Sequence, residues 1–438
     1  MMYRKTRIAL CFALCTAGAA QAASTTELVI ATVNNRQMIE MQKLTPQFEK
    51  SHPDIKLKWV TLEEGALRQR VTTDIATQGG QFDVMTIGMY ETPIWGKKGW
   101  LKEFKPDAGY DVDDLLAPIR AGLSANGKLY AAPFYGESSF TMYRADLAQA
   151  VGASLPEQPT WEQIRAFAAK VHNPGKGLYG VCLRGKPGWG DNMALLSTMV
   201  NTFGGQWFDM GWKPQVDSKA WHDAISFYLD LMKKYGPPGA SANSFNENLA
   251  LFAEGKCGVW VDATSAGTSV ADPKFSKVAD KVAFAKAPIA ITPKGASWLW
   301  AWALAIPGAT KKEEQAQRFI NWATSRDYVQ LVAKESGWIA VPTGNRASTY
   351  DRAEYQQVSR FGQMERKAIL AANPDDQTLP KSPYTGVQFA AIAEFQAIGL
   401  AVGQQLGAAL AGKVSVEQAL KTGQTAADRE MRKGGYYK

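Results

Sequence analysis

The sequence predicts an α/β protein, and three observations carry that prediction. Short apolar stretches alternate with helical ones in strand–helix–strand order over residues 27–90, and the alternation resumes after residue 147. At 438 residues the chain is long enough for two or three domains, or for two lobes of one protein. Strand, helix and strand joined by short connections make βαβ units, hence a parallel sheet covered by helices on both faces.

The elements follow in order. "ELVIATVNN" reads as a short apolar strand ending in a polar loop at Asn34 and Asn35, and a helix is expected from Met38 to Lys50. "IKLKWV" alternates Ile55, Leu57 and Trp59 with lysines, the period-2 pattern of a half-buried strand. A helix near Glu64 to Gln78 leads into "FDVMTIGMY", a buried strand. After "LYAAPFYGESSFTMYRADL", Thr160-Trp161-Glu162-Gln163 reads as a capping box that opens a helix. "LYGVCLRG" is a strand, and Asn192 to Phe203 is helical. Ser218 to Tyr235 is an amphipathic helix stopped by Gly236 and two prolines. "CGVWVDAT" is a further strand. In "ASWLWAWALAIP", Trp298, Trp300 and Trp302 recur at every second position, which places their side chains on one face of a strand. Thr310 to Glu313 reads as a second capping box, and from about Arg352 the pattern is mainly helical. There is no internal repeat.

Composition is that of a globular chain, 46% hydrophobic and 21% charged with no low-complexity tract. The opening "MMYRKTRIALCFALCTAGAAQAAS" carries Arg4, Lys5 and Arg7, an apolar stretch, and Ala20-Gln21-Ala22 as a cleavage site. It reads as a secretory signal peptide over residues 1–22, its apolar core too short for a membrane anchor. Cys11 and Cys15 follow Leu10 and Leu14 rather than a small residue, which argues against lipid attachment. Removing the leader takes three basic groups away and lowers the net charge from +8 to +5. That mild excess, without a Lys/Arg cluster, excludes a nucleic-acid footprint. Cys182 and Cys257 remain in an oxidising compartment, where one disulfide or two buried thiols are both open.

Ligands of open α/β sheets bind outside the carboxyl ends of the strands. The polar loops there are Asn34-Asn35, Tyr90-Glu91, Arg184 to Trp189, and Asp262-Ala263-Thr264. Each sets hydrogen-bonding groups beside an aromatic, as a polyhydroxylated ligand requires: its hydroxyls need donors and acceptors, and its C–H faces need ring surfaces. Enzyme signatures are missing. The three histidines, His52, His172 and His222, show no metal-ligand spacing, and neither a nucleophile elbow nor a phosphate-binding glycine loop occurs. No cofactor is expected. A glycosidase needs only two carboxylates, and Glu64, Glu91, Glu137 and Asp262 are available, so a secreted carbohydrate-active enzyme is the rival from another class.

The leader, "ELVIATVNN", "FDVMTIGMYETPIWGKKGWL", "LYAAPFYGESSFTMYRADL" and the tail "ALAGKVSVEQALKTGQTAADREM", in that order, resemble the extracellular solute-binding proteins that serve ATP-driven sugar importers. Around "VNNRQMIEMQKL" and "GMYETPIW" the wording is similar to the subgroup binding linear polyols such as mannitol and sorbitol. The resemblance implies a two-lobe, maltose-binding-protein-like fold, each lobe a sheet flanked by helices, with the ligand cleft between them. By analogy, residues 23–134 and 298–340 form lobe one, 137–291 and 342–438 form lobe two, and the crossovers lie near 134–137, 292–297 and 340–342.

It further implies a monomeric periplasmic protein that captures a small polyol or monosaccharide and delivers it to inner-membrane permease subunits. An oligosaccharide or a polyamine is the alternative ligand for the same fold. The ligand contacts it implies are Asn34, Asn35, Tyr90 and Glu91 in lobe one, and Tyr135 and Glu137 at the first crossover. From lobe two come Arg184, Trp189, Asp262 and Thr264. Trp298 and Trp300 face the cleft, Trp302 belongs to the core, and Trp338 is a further candidate. Where maltose binders carry a tryptophan on the terminal helices, "GVQFAAIAEFQAIGL" has none, which favours a small, enclosed ligand.

Overall fold

The computed structural model describes residues 25–438; the leader and its cleavage site lie outside them. Eleven strands build two main sheets and one hairpin. They are β1 (Thr26–Val33), β2 (Ile55–Leu62), β3 (Val84–Gly88), β4 (Ser124–Ala125), β5 (Lys128–Leu129), β6 (Ala131–Glu137), β7 (Ser139–Arg144), β8 (Tyr179–Cys182), β9 (Cys257–Ala263), β10 (Val282–Lys286) and β11 (Trp300–Ala305). The first sheet runs β2-β1-β3-β11-β6 and the second β10-β7-β9-β8, with β4 and β5 paired alone. As the βαβ pattern predicts, β1 is parallel to β2 and β3, and β8 is parallel to β9. The antiparallel pairings involve strands next to the crossovers: β11 lies against β3 and β6, and β7 against β9 and β10. The core of the first sheet is apolar on both faces, with Leu28, Ile30, Val84 and Met85 fully buried, each stabilising the fold by about 2 kcal/mol.

The chain passes between the two main sheets twice, from β6 to β7 and from β10 to β11, and the two passages are tied together. The first is Ser138, between β6 and β7: its N–H donates to Thr264 Oγ1, its carbonyl accepts from the Thr264 N–H, and its hydroxyl donates to the Trp298 carbonyl. Thr264 leaves β9 and Trp298 leads into β11, so neighbouring segments meet at one serine. The segment near Thr343 joins them through the Gly136 N–H, which donates to the Thr343 carbonyl. Gly136 and Gly344 pass backbone against backbone; a Cβ on either would overlap the other's carbonyl, and Gly344 holds a left-handed φ of 73°.

Several local expectations change. The helix expected over Met38–Lys50 is two helices, Arg36–Lys43 and Thr45–Ser51. Pro46 has no N–H to continue the first ladder, and proline is tolerated in the first turn of the second helix. The box at Thr160 forms with both reciprocal bonds. Thr310 does not close the expected box: its hydroxyl donates to Asp83 and accepts the Lys312 N–H, and the helix begins at Glu313 after Lys312. A capping box unnoticed in the sequence closes on Ser244 and Glu247. The stretch after Arg352 is helical only in part, because residues 373–391 form an irregular segment before the helices Phe395–Leu410 and Val416–Lys433. Those two helices pack on Asn192–Thr202 and Lys219–Tyr235 of the second sheet's side. Beyond Pro342 the chain first stays with the first sheet's side: Arg346 pairs with Leu115 and its guanidinium binds the Thr324 carbonyl and Asp114. Cys182 and Cys257 form a disulfide between β8 and β9, Cα atoms 6.0 Å apart.

Candidate functional site

Two strands make most of one wall by period alone. Tyr135 and Glu137 alternate on β6, Trp300 and Trp302 on β11, and the pairing sets Trp300 opposite Glu137 and Trp302 opposite Tyr135. Four side chains therefore share one face of the sheet at its crossover end. The face has room for the indoles because β3 ends in Gly88, opposite Trp302, where a Cβ would overlap the Trp300 ring.

Helix Glu64–Thr77 lays Arg68 across that wall. Its guanidinium carbon sits 4.0 Å from the Trp189 ring centre, 4.9 Å from Trp300 and 4.7 Å from Trp302, a cation held over aromatic faces. Arg68 also donates to Glu91 at 2.6 Å and to Glu64 at 2.9 and 3.0 Å. Burial opposes its charge, and Glu91 and Glu64 more than offset that, holding its pKa above the ordinary value.

The second lobe contributes the facing wall. Arg184 follows β8 and binds Asp262 through Nε at 2.9 Å and Nη2 at 2.6 Å, while Nη1 donates to the Gly190 carbonyl. Asp262 is fully buried and accepts further bonds from Trp260 Nε1 and the Ala263 N–H. Burial works against the Arg184 charge, and Asp262 outweighs it, raising the pKa. Trp189 and Asp191 come from the same loop as Arg184, and Ser244, Phe245 and Asn246 from the start of helix Phe245–Ala253. Together the walls enclose a cavity of about 70 Å³, several times what one water needs.

Two buried carboxyls in the cavity have no cation hydrogen-bonded to them. Glu137 accepts from the Ser265 hydroxyl at 2.6 Å, and Asp191 from the Ser244 hydroxyl. Burial pushes Glu137 up to about 8, with the Ser265 bond and Arg184 opposing. Burial and then the Glu64 charge raise Asp191 to about 7. The indole nitrogens of Trp189 and Trp298 are buried without a hydrogen-bond partner, and both rings line the cavity. Such donors cost free energy unless a group supplies an acceptor.

Around and beyond the cavity rim the lobes touch directly. Arg36 pairs with Asp272 and donates to the Thr268 carbonyl, Asn246 donates to the Asn34 carbonyl, and Lys186 reaches Glu63 at 2.6 Å. The structure is thus shut around its cavity.

Of the sequence candidates, Asn34, Asn35, Tyr135, Glu137, Arg184, Trp189, Trp298 and Trp300 line this space. Asn35 does so while capping helix Arg36–Lys43 through Oδ1 and donating to the Tyr135 hydroxyl through Nδ2. Five others do not. Tyr90 sits behind Trp189, its hydroxyl donating to the Ile392 and Ala393 carbonyls. Glu91 is turned to Arg68 and the Gly88 N–H, and Asp262 to Arg184. Thr264 braces Ser138 at the crossover. Trp338 lies half-buried on the turn Trp338–Ala340, with Arg352 over its ring. Trp302, expected in the core, lines the cavity with its neighbours. Arg68, Asp191, Ser244, Ser265 and Gln388 were not anticipated. Arg68 alone carried a signal, an arginine beside Leu67 on the buried face of a helix and four residues after Glu64. Among the described residues no group of three or more His, Cys, Asp or Glu side chains could hold a metal.

Comparison with known proteins gives concordant results. The profile of the bacterial extracellular solute-binding protein family matches residues 35–330. A mannitol-binding protein of Pseudomonas aeruginosa is 54% identical over 420 residues, covering 96% of both chains. An ABC transporter solute-binding protein from Agrobacterium vitis S4, solved with bound D-mannitol, is 57% identical with a TM-score of 0.93 over 94% of this chain and all of that one. Another from Agrobacterium radiobacter K84, in complex with ribitol, shares the fold at 23% identity, with a TM-score of 0.82 over 93% of this chain and 99% of that one.

Proposed function

The chain belongs to the bacterial extracellular solute-binding protein family, and we propose that it captures a small linear polyol, mannitol or its close isomers, for an ATP-driven importer. The observation that carries this reading is the cavity itself. Three consecutive alternate indoles and Trp189 offer flat apolar faces, while Tyr135, Glu137, Asn35, Asp191 and two unpartnered indole N–H groups offer donors and acceptors. A hexitol has that dual character along its whole length, with C–H groups for the rings and a hydroxyl on every carbon. Relatives above 50% identity that bind mannitol support the same choice.

The protein acts as the periplasmic, monomeric component and hands its ligand to inner-membrane permease subunits. No helix among the described residues is long and apolar enough to cross a membrane. The mechanism is population shift: the ligand touches both lobes, so it binds the shut form better than the open one and draws the equilibrium to it. Binding rather than catalysis fits the carboxyls, since Glu91 and Asp262 lie behind the cavity wall, committed to the arginines that line it.

Tryptophan-fluorescence titration with mannitol, sorbitol, arabitol, glucose, maltose and putrescine tests the assignment. Saturable change with the hexitols at micromolar concentration, about 8 kcal/mol of binding or more, and little with maltose, is the expected result. A response confined to maltose, glucose or putrescine would overturn it.

A further inference from the structure

Both arginines lining the cavity are bonded to protein acceptors, whereas two of its buried carboxyls have no cation bonded to them. Arg68 spends Nε, Nη1 and Nη2 on Glu64 and Glu91; Arg184 spends the same three nitrogens on Asp262 and the Gly190 carbonyl. Glu137 and Asp191 each receive one hydroxyl bond, from Ser265 and Ser244. Each carboxyl keeps acceptor positions beyond the one its serine takes, and an ammonium arriving there would favour the ionised form and draw off any proton the buried acid holds; both side chains are more than nine-tenths buried. Glu63, Glu64 and Glu247 add further acidic groups to the lining.

This arrangement discriminates by charge. A ligand carboxylate or phosphate would be desolvated among these acids, and the arginine nitrogens facing it already bond Glu64, Glu91, Asp262 and the Gly190 carbonyl, each Nη keeping only its second N–H to offer; a poorly paired buried charge is costly. A ligand ammonium would bring three donors and the missing positive charge to acceptors already fixed by serine hydroxyls. The raised pKa values of Glu137 and Asp191 agree with this, since they mark two acids held in want of a cation. The aromatic wall and the unpartnered indole N–H groups still require a polyhydroxylated chain, so a bare diamine would leave them unserved.

We propose that the cavity also takes amino-polyols, in which an ammonium replaces one terminal hydroxyl, and rejects polyols ending in a carboxylate or phosphate. The proposal rests on the polyol reading above and extends it to a second ligand class. The test is calorimetric titration of the protein, freed of its leader, with D-mannitol, 1-amino-1-deoxy-D-mannitol and D-mannonate, which share one carbon skeleton. The amine is expected to bind within about tenfold of mannitol or tighter, and mannonate at least about a hundredfold more weakly. Asp191→Asn or Glu137→Gln should lower the amine-to-mannitol affinity ratio by about tenfold. Mannonate binding as well as mannitol, an amine a hundredfold weaker than mannitol, or an unchanged ratio in both variants would each overturn the proposal. Failure of mannitol itself would instead bring down the polyol reading, and the proposal with it.

Discussion

Glu137 sits opposite Trp300 with one serine hydroxyl for company, and that placement has a pH signature. Its folded-state pKa is raised by burial from an ordinary 4.5 to about 8. Between those values the folded protein holds a proton that the unfolded chain has released. Its contribution is therefore fully present below about 4.5 and lost as the pH rises through about 8. Asp191 and Glu365, each raised to about 7 chiefly by burial, act with the same sign. Asp114 acts in the other direction, held down at about 2 as its arginine and serine partners outweigh burial, so its contribution fades only in strong acid. Scanning calorimetry should show the melting temperature of the ligand-free protein falling from pH 5 to 8.5, with a shallower slope in Glu137→Gln. An equal slope in that variant would remove Glu137 from the account. An acid in an otherwise apolar strand was conspicuous in the sequence, whereas Asp191 was not, because its burial depends on the Ser244 loop brought in from 53 residues away.

Strand periodicity was the most legible feature at the scale of elements. Two residues per repeat on β6 and on β11 put four site residues on one face, and the pairing register supplies their contact. Sequence spacing alone could not separate Trp302 from Trp300, since both point the same way; what decides is the open end of the sheet, where Gly88 leaves space. Gly88→Ala should displace the Trp300 indole, costing about 1–3 kcal/mol as overpacking does and shifting the tryptophan emission. Urea unfolding and fluorescence check both, and an unaltered spectrum would contradict the packing described. Breaks and caps were read less well. Pro46 splits a helix whose apolar pattern runs on without interruption, and Thr310 takes Asp83 rather than a helix end, a partner 227 residues distant in the chain.

For the whole molecule, residue patterns established an α/β chain with repeated βαβ units, while the two-lobe plan came from family resemblance. The reason is physical: which strands cross between sheets is settled by long-range contacts such as Ser138 with Thr264 and Gly136 with Thr343, which no local pattern encodes. The same scale holds the latch. Arg36 lies outside the cavity lining yet pairs with Asp272 of the other lobe, a bond that opening must break. A partly exposed pair contributes about 1 kcal/mol, so Arg36→Ala should weaken mannitol binding about fivefold, through faster dissociation seen in stopped-flow fluorescence. Unchanged affinity would show that the pair adds nothing to closure.

Closure by one small polyol held between the lobes is the step on which this mechanism turns. Small-angle X-ray scattering of the ligand-free protein, before and after saturation with D-mannitol, measures that step. A smaller radius of gyration is expected with mannitol, reversed on dialysis and absent with maltose. A scattering curve that mannitol leaves unchanged, or that contracts only with maltose, would contradict it.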